Sequence, residues 1–301
     1  VDQILVEGEG DNRRAVGVRL AGGEELRSRV VLSNADAWMT YNHLLGKEHL
    51  SHRLAARIER LRPSLSALSL FMAADFDAES LGLDSGNYWI LNNQDVTATY
   101  RQAEQSDLGD TGPFPGAFLT ITTLKDPDKM CRGLHAMEAF AFVSYDAFQP
   151  WKDSPFDDRP DAYKAFKEHL TERMLDTVEV VIPNLRDHLK LCELGTPLTN
   201  EFYAAAHRGN LYGHAKSRAQ MGAGAPPIRT EINGLYHCGQ STAAHGVLGS
   251  LTTGIIAAAK ISGMRMRELL TFQEGGRVTL GQGVAAQVRR EGVATAAQDV
   301  K

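Results

Sequence analysis

The stretch NGLYHCGQSTAAHGVLGSLTTGIIAAAKI, residues 233–261, decides the fold of this 301-residue chain. It predicts a short apolar strand, then a loop of small and polar residues, then a helix rich in glycine and alanine. The first turn of such a helix has backbone N–H groups without intrahelical partners, and the helix dipole adds partial positive charge there. The pattern favours a site for an anionic or electron-rich group. An ordinary strand–loop–helix joint, packed only for compactness, is the alternative.

The residues expected to approach a ligand lie in the loop and in the first helical turn. Glycine lets the backbone come close to a flat ligand, and hydroxyl side chains add hydrogen-bond donors. The candidate binding residues are therefore Gly239, Ser241, Thr242, Gly246, Val247, Leu248 and Gly249. The stretch is not the dinucleotide fingerprint, and no P-loop is present; GEG at 8–10 reads as a hairpin turn.

Composition excludes several classes of function. The formal net charge is −5, so nucleic-acid binding has no electrostatic basis. The three cysteines are far apart in sequence, which argues against a disulfide scaffold and makes a reducing, cytoplasmic compartment the default. The histidines at 207, 214, 237 and 245 lack metal-ligand spacing, so we expect no metal site.

Periodicity divides the chain into β structure, an inserted unit and β structure again. VVLSNAD, residues 30–36, predicts a central strand whose polar end faces a site. The other predicted elements are β structure over 1–34, a helix over 36–62, strands over 64–76, 86–93, 116–124 and 134–145, and a helix over 160–181. From Cys192 to Arg229 the sequence predicts turns and short helices, and after Leu270 a poorly ordered tail.

Both ends of this order can belong to one sheet. We therefore predict an α/β fold with an α+β insert. Residues 1–62 and 197–270 would form one domain, residues 63–196 a second domain with an antiparallel sheet, and residues 271–301 a flexible tail.

Aromatic residues recur on the predicted strands of the insert: Tyr88, Trp89, Phe118, Phe140, Phe142 and Tyr145. Burial in a core is the simpler interpretation, and lining an apolar tunnel is the functional one. Because alternate residues of a strand face opposite sides, we expect at most half of them to share one face.

Five stretches of the chain, in order, resemble the family of phytoene desaturases, carotenoid isomerases and retinol saturases, and together they span about residues 1–265. The opening stretch resembles that family's C-terminal flavin-binding segment. The others are VDQILV with AVGVRLAGGEELRSRVVLSNAD, FLTITTLKDPDKMCRGLHAMEAFAFVSY, IPNLRDHLKLCELGTPLTNEFY and GNLYGHAKSRAQM.

The resemblance implies an incomplete, Rossmann-like FAD oxidoreductase, in which residues 1–62 and 197–270 would form the flavin domain and residues 63–196 the substrate domain. The family's FAD fingerprint lies upstream of the strand that begins here, so the resemblance implies that the chain is the C-terminal portion of a longer protein. Val1 matches the valine that borders the adenine in that family. Hydride would pass between an apolar polyene or isoprenoid and the flavin, with the helix N-terminus at Gly246 and Val247 stabilising the reduced ring.

One local departure makes His245 the candidate catalytic residue. Ala244 and His245 stand where many relatives have Pro-Gly, which places an imidazole beside the expected flavin. The helix dipole should disfavour protonation of this ring, so that it stays neutral and donates one hydrogen bond at pH 7.

Two rival functions stay open at this point. In the first, the chain is a non-catalytic half that binds FAD only together with a partner polypeptide, such as a separate N-terminal half. Alternatively, it resembles a flavin amine oxidase, although the TP, YG and SNAD stretches favour the desaturase branch. Peripheral contact with a membrane is also left open, because polyene substrates reside in lipid.

Overall fold

Two strands far apart in sequence, one in the N-terminal and one in the C-terminal part of the described chain, pair in parallel. The computed structural model describes residues 1–92, 94–108 and 112–270. The strands β4 (Val31–Ser33) and β10 (Leu235–His237) run parallel, with Val31 opposite Leu235 and Ser33 opposite His237. An antiparallel sheet of β1 (Gln3–Glu7), β2 (Arg14–Arg19) and β3 (Glu25–Arg27) lies beside them.

The insert contains a five-stranded antiparallel sheet in the order β6-β7-β8-β5-β9. Its strands are β5 (Ser66–Ala74), β6 (Asn87–Leu91), β7 (Gly116–Ile121), β8 (His135–Val143) and β9 (Leu189–Gly195). Every second residue of β8 is buried, which is the alternation of a strand with one face on a core.

Nine α-helical segments complete the described chain: α1 (Ala37–Met39), α2 (His52–Glu59), α3 (Val96–Ala103), α4 (Thr122–Lys125), α5 (Asp161–Val178), α6 (Leu185–His188), α7 (Pro197–Ala204), α8 (Gly246–Ser262) and α9 (Met266–Leu270). None of these helices is long and apolar enough to cross a membrane.

Two hydrophobic cores hold the described part of the chain together. In the larger core, Leu170, Met174 and Val178 of α5 pack against one face of the five-stranded sheet. In the smaller core, the side chains of the first strands meet Tyr41, Ile58 and Leu235. The start of the insert lies against the segment that follows the insert, where isolated bridges join Pro63 to His214 and Ser66 to Asn210.

The predicted class, mixed α/β with an antiparallel sheet, is confirmed. The division into a flavin domain and a substrate domain stays a prediction, although the parallel pairing of β4 with β10 is consistent with it.

Three predicted elements differ from the structure. The helix over 36–62 is broken into α1, a π-helical turn at Thr40–Leu44, a 3-10 turn and α2, and Gly46 with φ +90° interrupts it. The end of the strand predicted over 116–124 turns into α4. Strand β9 continues to Gly195, past Cys192, from which the sequence predicted turns and short helices. The predicted flexible tail, residues 271–301, lies outside the described residues.

Candidate functional site

The site lies where the parallel strands β4 and β10 end side by side. Because the strands are parallel, their carboxyl ends meet at the same edge of the sheet. The residues after β4 reach Asp36, and those after β10 form the loop Gly239–His245. The N–H of Cys238 donates to the carbonyl of Ser33 at 2.9 Å, so the pairing continues up to the loop.

Gly239 starts the loop and is held against helix α8. Its φ is +83°, and a Cβ at this position would lie 1.9 Å from Oδ1 of Asn34. Its N–H donates to Oγ1 of Thr253 at 2.8 Å. The tight turn therefore requires glycine, and it fixes the loop to the middle of α8.

The first turn of α8 is open to solvent. Gly246 has φ +74° with open space where a Cβ would lie, while a Cβ on Gly249 would meet Ala244 at 2.9 Å. No side chain caps the helix at His245. Val247 and Leu248 are 91% and 77% exposed. Uncapped N–H groups thus lie beside exposed apolar side chains.

Asp36 ties the strand end to two other segments. Its Oδ1 accepts from the N–H of Trp38 at 2.8 Å, which caps α1. Its Oδ2 accepts from Nδ2 of Asn210 at 2.8 Å and from the hydroxyl of Ser241 at 3.5 Å. One carboxylate therefore holds the loop after β10 and the segment that follows α7 in place.

Lys216 brings a partly buried cation to the same loop. Its Nζ donates to the carbonyl of Gln240 at 2.8 Å and to that of His214 at 3.2 Å. Burial lowers the pKa of Lys216 to about 8, and the charge of Asp36 opposes that shift. Burial, followed by the Lys216 charge, lowers the pKa of His214 to about 4.

His245 lies at the border between this loop and the insert. Its ring is 4.8 Å from the ring of Tyr212, at a tilt of 38°. Its pKa is lowered, the direction expected from the sequence, although for reasons other than the helix dipole. The main cause is burial, followed by the charge of Lys216.

The face of the five-stranded sheet opposite the larger core carries aromatic side chains and extends towards His245. Trp89, Phe118 and Phe140 lie in register on neighbouring strands, and Phe142 follows on β8. The ring of Phe142 is 5.4 Å from that of Phe140 and 6.4 Å from that of Tyr212. We call this surface, formed by Trp89, Phe118, Phe140 and Phe142, the aromatic face.

The aromatic face forms one wall of a cavity of about 260 Å³. Helix α3 supplies another wall through Val96, Thr99 and Tyr100. Four of the six aromatics predicted on strands thus share the open face, so the expectation of at most half was wrong. Tyr88 lies on the core side, and Tyr145, also in the core, begins a 3-10 turn after β8. The four share a face because their positions coincide in cross-strand register.

The structure separates the predicted site residues into three groups. Gly246, Val247, Leu248 and Gly249 form the exposed first turn, with His245 before it. Ser241 and Thr242 are buried, and the hydroxyl of Thr242 donates to the carbonyl of Gly239 at 2.7 Å. Val1 precedes β1 on the other sheet and is 65% exposed. Contact of any of these residues with a cofactor stays a prediction.

Sequence reasoning missed Asp36, Asn210, Tyr212, His214 and Lys216 as site residues. They come from two segments about 170 residues apart, and only the tertiary fold brings them together. The polar end of VVLSNAD and the family-like stretch GNLYGHAKSRAQM were the signals that marked these segments. Within the described residues, no cluster of three or more His, Cys, Asp or Glu side chains is arranged to hold a metal.

Comparison with known proteins identifies relatives over most of the chain. No protein-family model matches it. It is 30% identical over 294 residues to all-trans-retinol 13,14-reductase of Danio rerio, covering 93% of this chain and 47% of the relative. It is 29% identical over 255 residues to the chloroplastic prolycopene isomerase of Arabidopsis thaliana, covering 84% of this chain and 39% of the relative.

A solved structure shares the fold. An oxidoreductase from Methanosarcina mazei matches with a TM-score of 0.51 at 17% identity, covering 86% of this chain and 48% of that one. The chain spans less than half the length of each of these curated relatives. The resemblance seen in the sequence is confirmed: over most of its length the chain is similar to all-trans-retinol 13,14-reductases and prolycopene isomerases.

Proposed function

We propose that this chain forms the substrate-binding and flavin-ring side of an FAD-dependent oxidoreductase that acts on an apolar polyene or isoprenoid. One observation carries the proposal: the aromatic face runs without a break through Tyr212 to His245, at the start of α8. A surface for an elongated apolar molecule thus ends at a helix N-terminus suited to an electron-accepting ring.

The residues at the start of α8 fit a flavin ring in their chemistry. The N–H groups of the first turn have no side-chain cap, and they favour negative charge. Val247 and Leu248 offer exposed apolar surface beside those donors. When bound, FAD supplies the acceptor or donor of a hydride. Gly246, Val247, Leu248 and Gly249 would hold its ring.

The other side chains orient the substrate and shape the site. Phe118, Phe140 and Phe142 give stacking surface to a conjugated chain and exclude water from it. The lowered pKa of His245 keeps its ring neutral at pH 7, so it serves as a hydrogen-bond donor rather than as a cation. Lys216 and Asp36 fix the loop after β10 through the contacts described above.

Titration of the purified chain with FAD tests the cofactor role. Val247→Pro removes one N–H at a helix position that tolerates proline, and Val247→Ala is the matched control. We expect saturable quenching of flavin fluorescence by the wild-type chain and a roughly tenfold weaker Kd for the proline variant, the worth of about one hydrogen bond to a charged group. Equal affinities in the two variants would count against the role of α8.

Two further results bear on the proposal. Uptake of FAD only after a second polypeptide is added would favour the half-chain alternative. Substrate binding is tested without the cofactor, by quenching of tryptophan fluorescence with a polyene. Phe140→Ala should weaken that binding. An unchanged affinity would show that the aromatic face does not bind the substrate.

A further inference from the structure

Helix α3 turns its apolar side towards a cavity rather than towards a packed core. Val96, Thr99, Tyr100 and Ala103 recur at the spacing of one helix face, and all four line the cavity of about 260 Å³ against the aromatic face. Of the eight helix residues only Ala103 is buried, while Val96 and Tyr100 are 46% and 45% exposed. The apolar side of α3 is therefore incompletely covered.

Hydrogen bonds fasten the segment of α3 to the rest of the chain only beyond its two ends. Before the helix, the N–H and the side chain of Asn92 donate to backbone carbonyls just ahead of β7. After it, the carbonyl of Leu108 accepts from Arg173 of α5. Between these points, every hydrogen bond made by the described residues 94–106 stays within that stretch. The helix can therefore move against the sheet without breaking a hydrogen bond.

The cavity beneath α3 is small for a ligand. Sites for small molecules usually measure about 300–1,000 Å³, whereas this one measures about 260 Å³. The opposite wall is made by strands β6, β7 and β8, which pair with one another in antiparallel register. Because a paired sheet is the stiffer wall, α3 is the one that yields when the cavity widens.

Tyr100 lies beside the part of the aromatic face that leads to His245. Its ring is 5.6 Å from that of Phe142, which in turn contacts the ring of Tyr212. Burial raises the pKa of Tyr212, and the phenol of Tyr100 adds to that shift, so the two side chains are near each other. A displacement of α3 thus opens both the cavity and the way from it towards α8.

We propose that α3 is a lid on the aromatic face, which swings away from the sheet to admit an apolar ligand and closes over it once it is bound. The proposal rests on the proposed function in taking the aromatic face as the surface for the ligand, and it adds how that surface is reached. A ligand in the cavity covers the exposed parts of Val96 and Tyr100, and this burial favours the closed position. Closure excludes water from the ligand.

A disulfide between Thr99→Cys and Gly116→Cys would lock the lid. A Cβ at Gly116 would lie 2.8 Å from Cγ2 of Thr99, so the two Cβ positions are no further apart than about 4.5 Å, which a disulfide spans. The pair is made in a Cys131→Ser background, because Cys131 is exposed. Each single-cysteine variant is the matched control for the substitution without the lock.

Uptake of N-phenyl-1-naphthylamine, whose fluorescence rises in apolar surroundings, reports on the cavity of the purified chain. We expect the oxidised double variant to take up this probe at least about tenfold more slowly than the wild type. Reduction with dithiothreitol should restore the rate. In the single-cysteine variants, oxidant and reductant should leave the uptake rate unchanged.

Hydrogen exchange tests the lid without any substitution. In the free chain we expect the amides of α3 to exchange faster than those of α5, which packs on the larger core. Saturating probe should slow exchange in α3 several-fold, because closure over the ligand limits opening of the helix. If the disulfide does not form, this measurement alone decides.

The outcomes separate the lid from the proposed function. Equal uptake by the oxidised and reduced double variant, or exchange in α3 that bound probe leaves unchanged, refutes the lid. The proposed function then still stands if Phe140→Ala weakens binding of the probe. If the wild-type chain does not bind the probe at all, the aromatic face is not a surface for apolar ligands, and both proposals fail.

Discussion

Two features exclude any residue but glycine at position 239: the backbone conformation and a neighbouring side chain. The left-handed φ of Gly239 costs other residues about 1–2 kcal/mol, and Asn34 occupies the space that a Cβ would need. This glycine belongs to the conformation of the loop, whereas Gly246 faces open space and leaves room for a ligand. The same residue type thus has two roles within one short stretch.

We predict that Gly239→Ala lowers the free energy of unfolding by at least about 2 kcal/mol. Gly254→Ala, inside α8 with open space around it, is the control and should raise stability by about 0.5–1 kcal/mol. Urea denaturation measures both. Adding Asn34→Ala should recover only part of the loss, because the strained φ remains. Full recovery would show that the backbone carries no strain.

At the scale of the element, α8 is fixed by its middle rather than by its start. Thr253 is buried and accepts the N–H of Gly239, while the first turn has no cap. A helix held in this way keeps its N-terminal N–H groups available. The arrangement explains how a 17-residue helix can be stable with an open first turn.

Thr253→Val should lower the free energy of unfolding by about 1–3 kcal/mol, because it leaves the buried N–H of Gly239 without a partner. Thr252→Val makes the same change one residue earlier, where the hydroxyl is exposed and bonds only within the helix. We expect that control to change stability by less than about 0.5 kcal/mol. Equal effects on thermal unfolding would contradict the docking role of Thr253.

Elements with a clear period were predictable, and elements with mixed signals were not. Strands β5, β6 and β8 and helix α5 were predicted to within a few residues, because each alternates or repeats over its whole length. Strand β9 was not predicted because it is an edge strand with exposed side chains, among them Lys190 and Glu193. The site was half predicted. The loop and α8 are local in sequence, but Asp36 and Lys216 reach them only through tertiary contacts.

On the scale of the whole molecule, imidazoles with lowered pKa values make the fold sensitive to acid. Removal from water lowers the pKa of the buried His135, His214 and His237, of the half-buried His207 and, in part, of the exposed His245. The folded chain therefore binds fewer protons than the unfolded chain at mildly acidic pH. Stability that is present above the unfolded pKa of about 6.5 is lost as the pH falls towards 4.

We predict that the midpoint of thermal unfolding falls steeply between pH 6.5 and pH 4, and that His214→Gln reduces the slope. Glutamine can still donate to the carbonyl of Gln220, as Nε2 of His214 does at 3.0 Å. His169→Gln on the exposed side of α5 is the control and should leave the slope unchanged. If the unfolding midpoint of His214→Gln depends on pH as steeply as that of the wild type, protonation of His214 does not contribute to the loss of stability in acid.

The bridges at Pro63 and Ser66 also bear on how the molecule folds. Strands β4 and β10 are separated by about 200 residues, and closing a flexible loop of that length costs on the order of 4–5 kcal/mol in chain entropy. Once the insert has folded and the segment after it has docked, however, Pro63 lies beside His214 and Ser66 beside Asn210. The distant strands then behave as near neighbours along a shortened chain. We therefore expect the insert to fold first and the parallel pair to form last, so that the site at its end is completed in the final step.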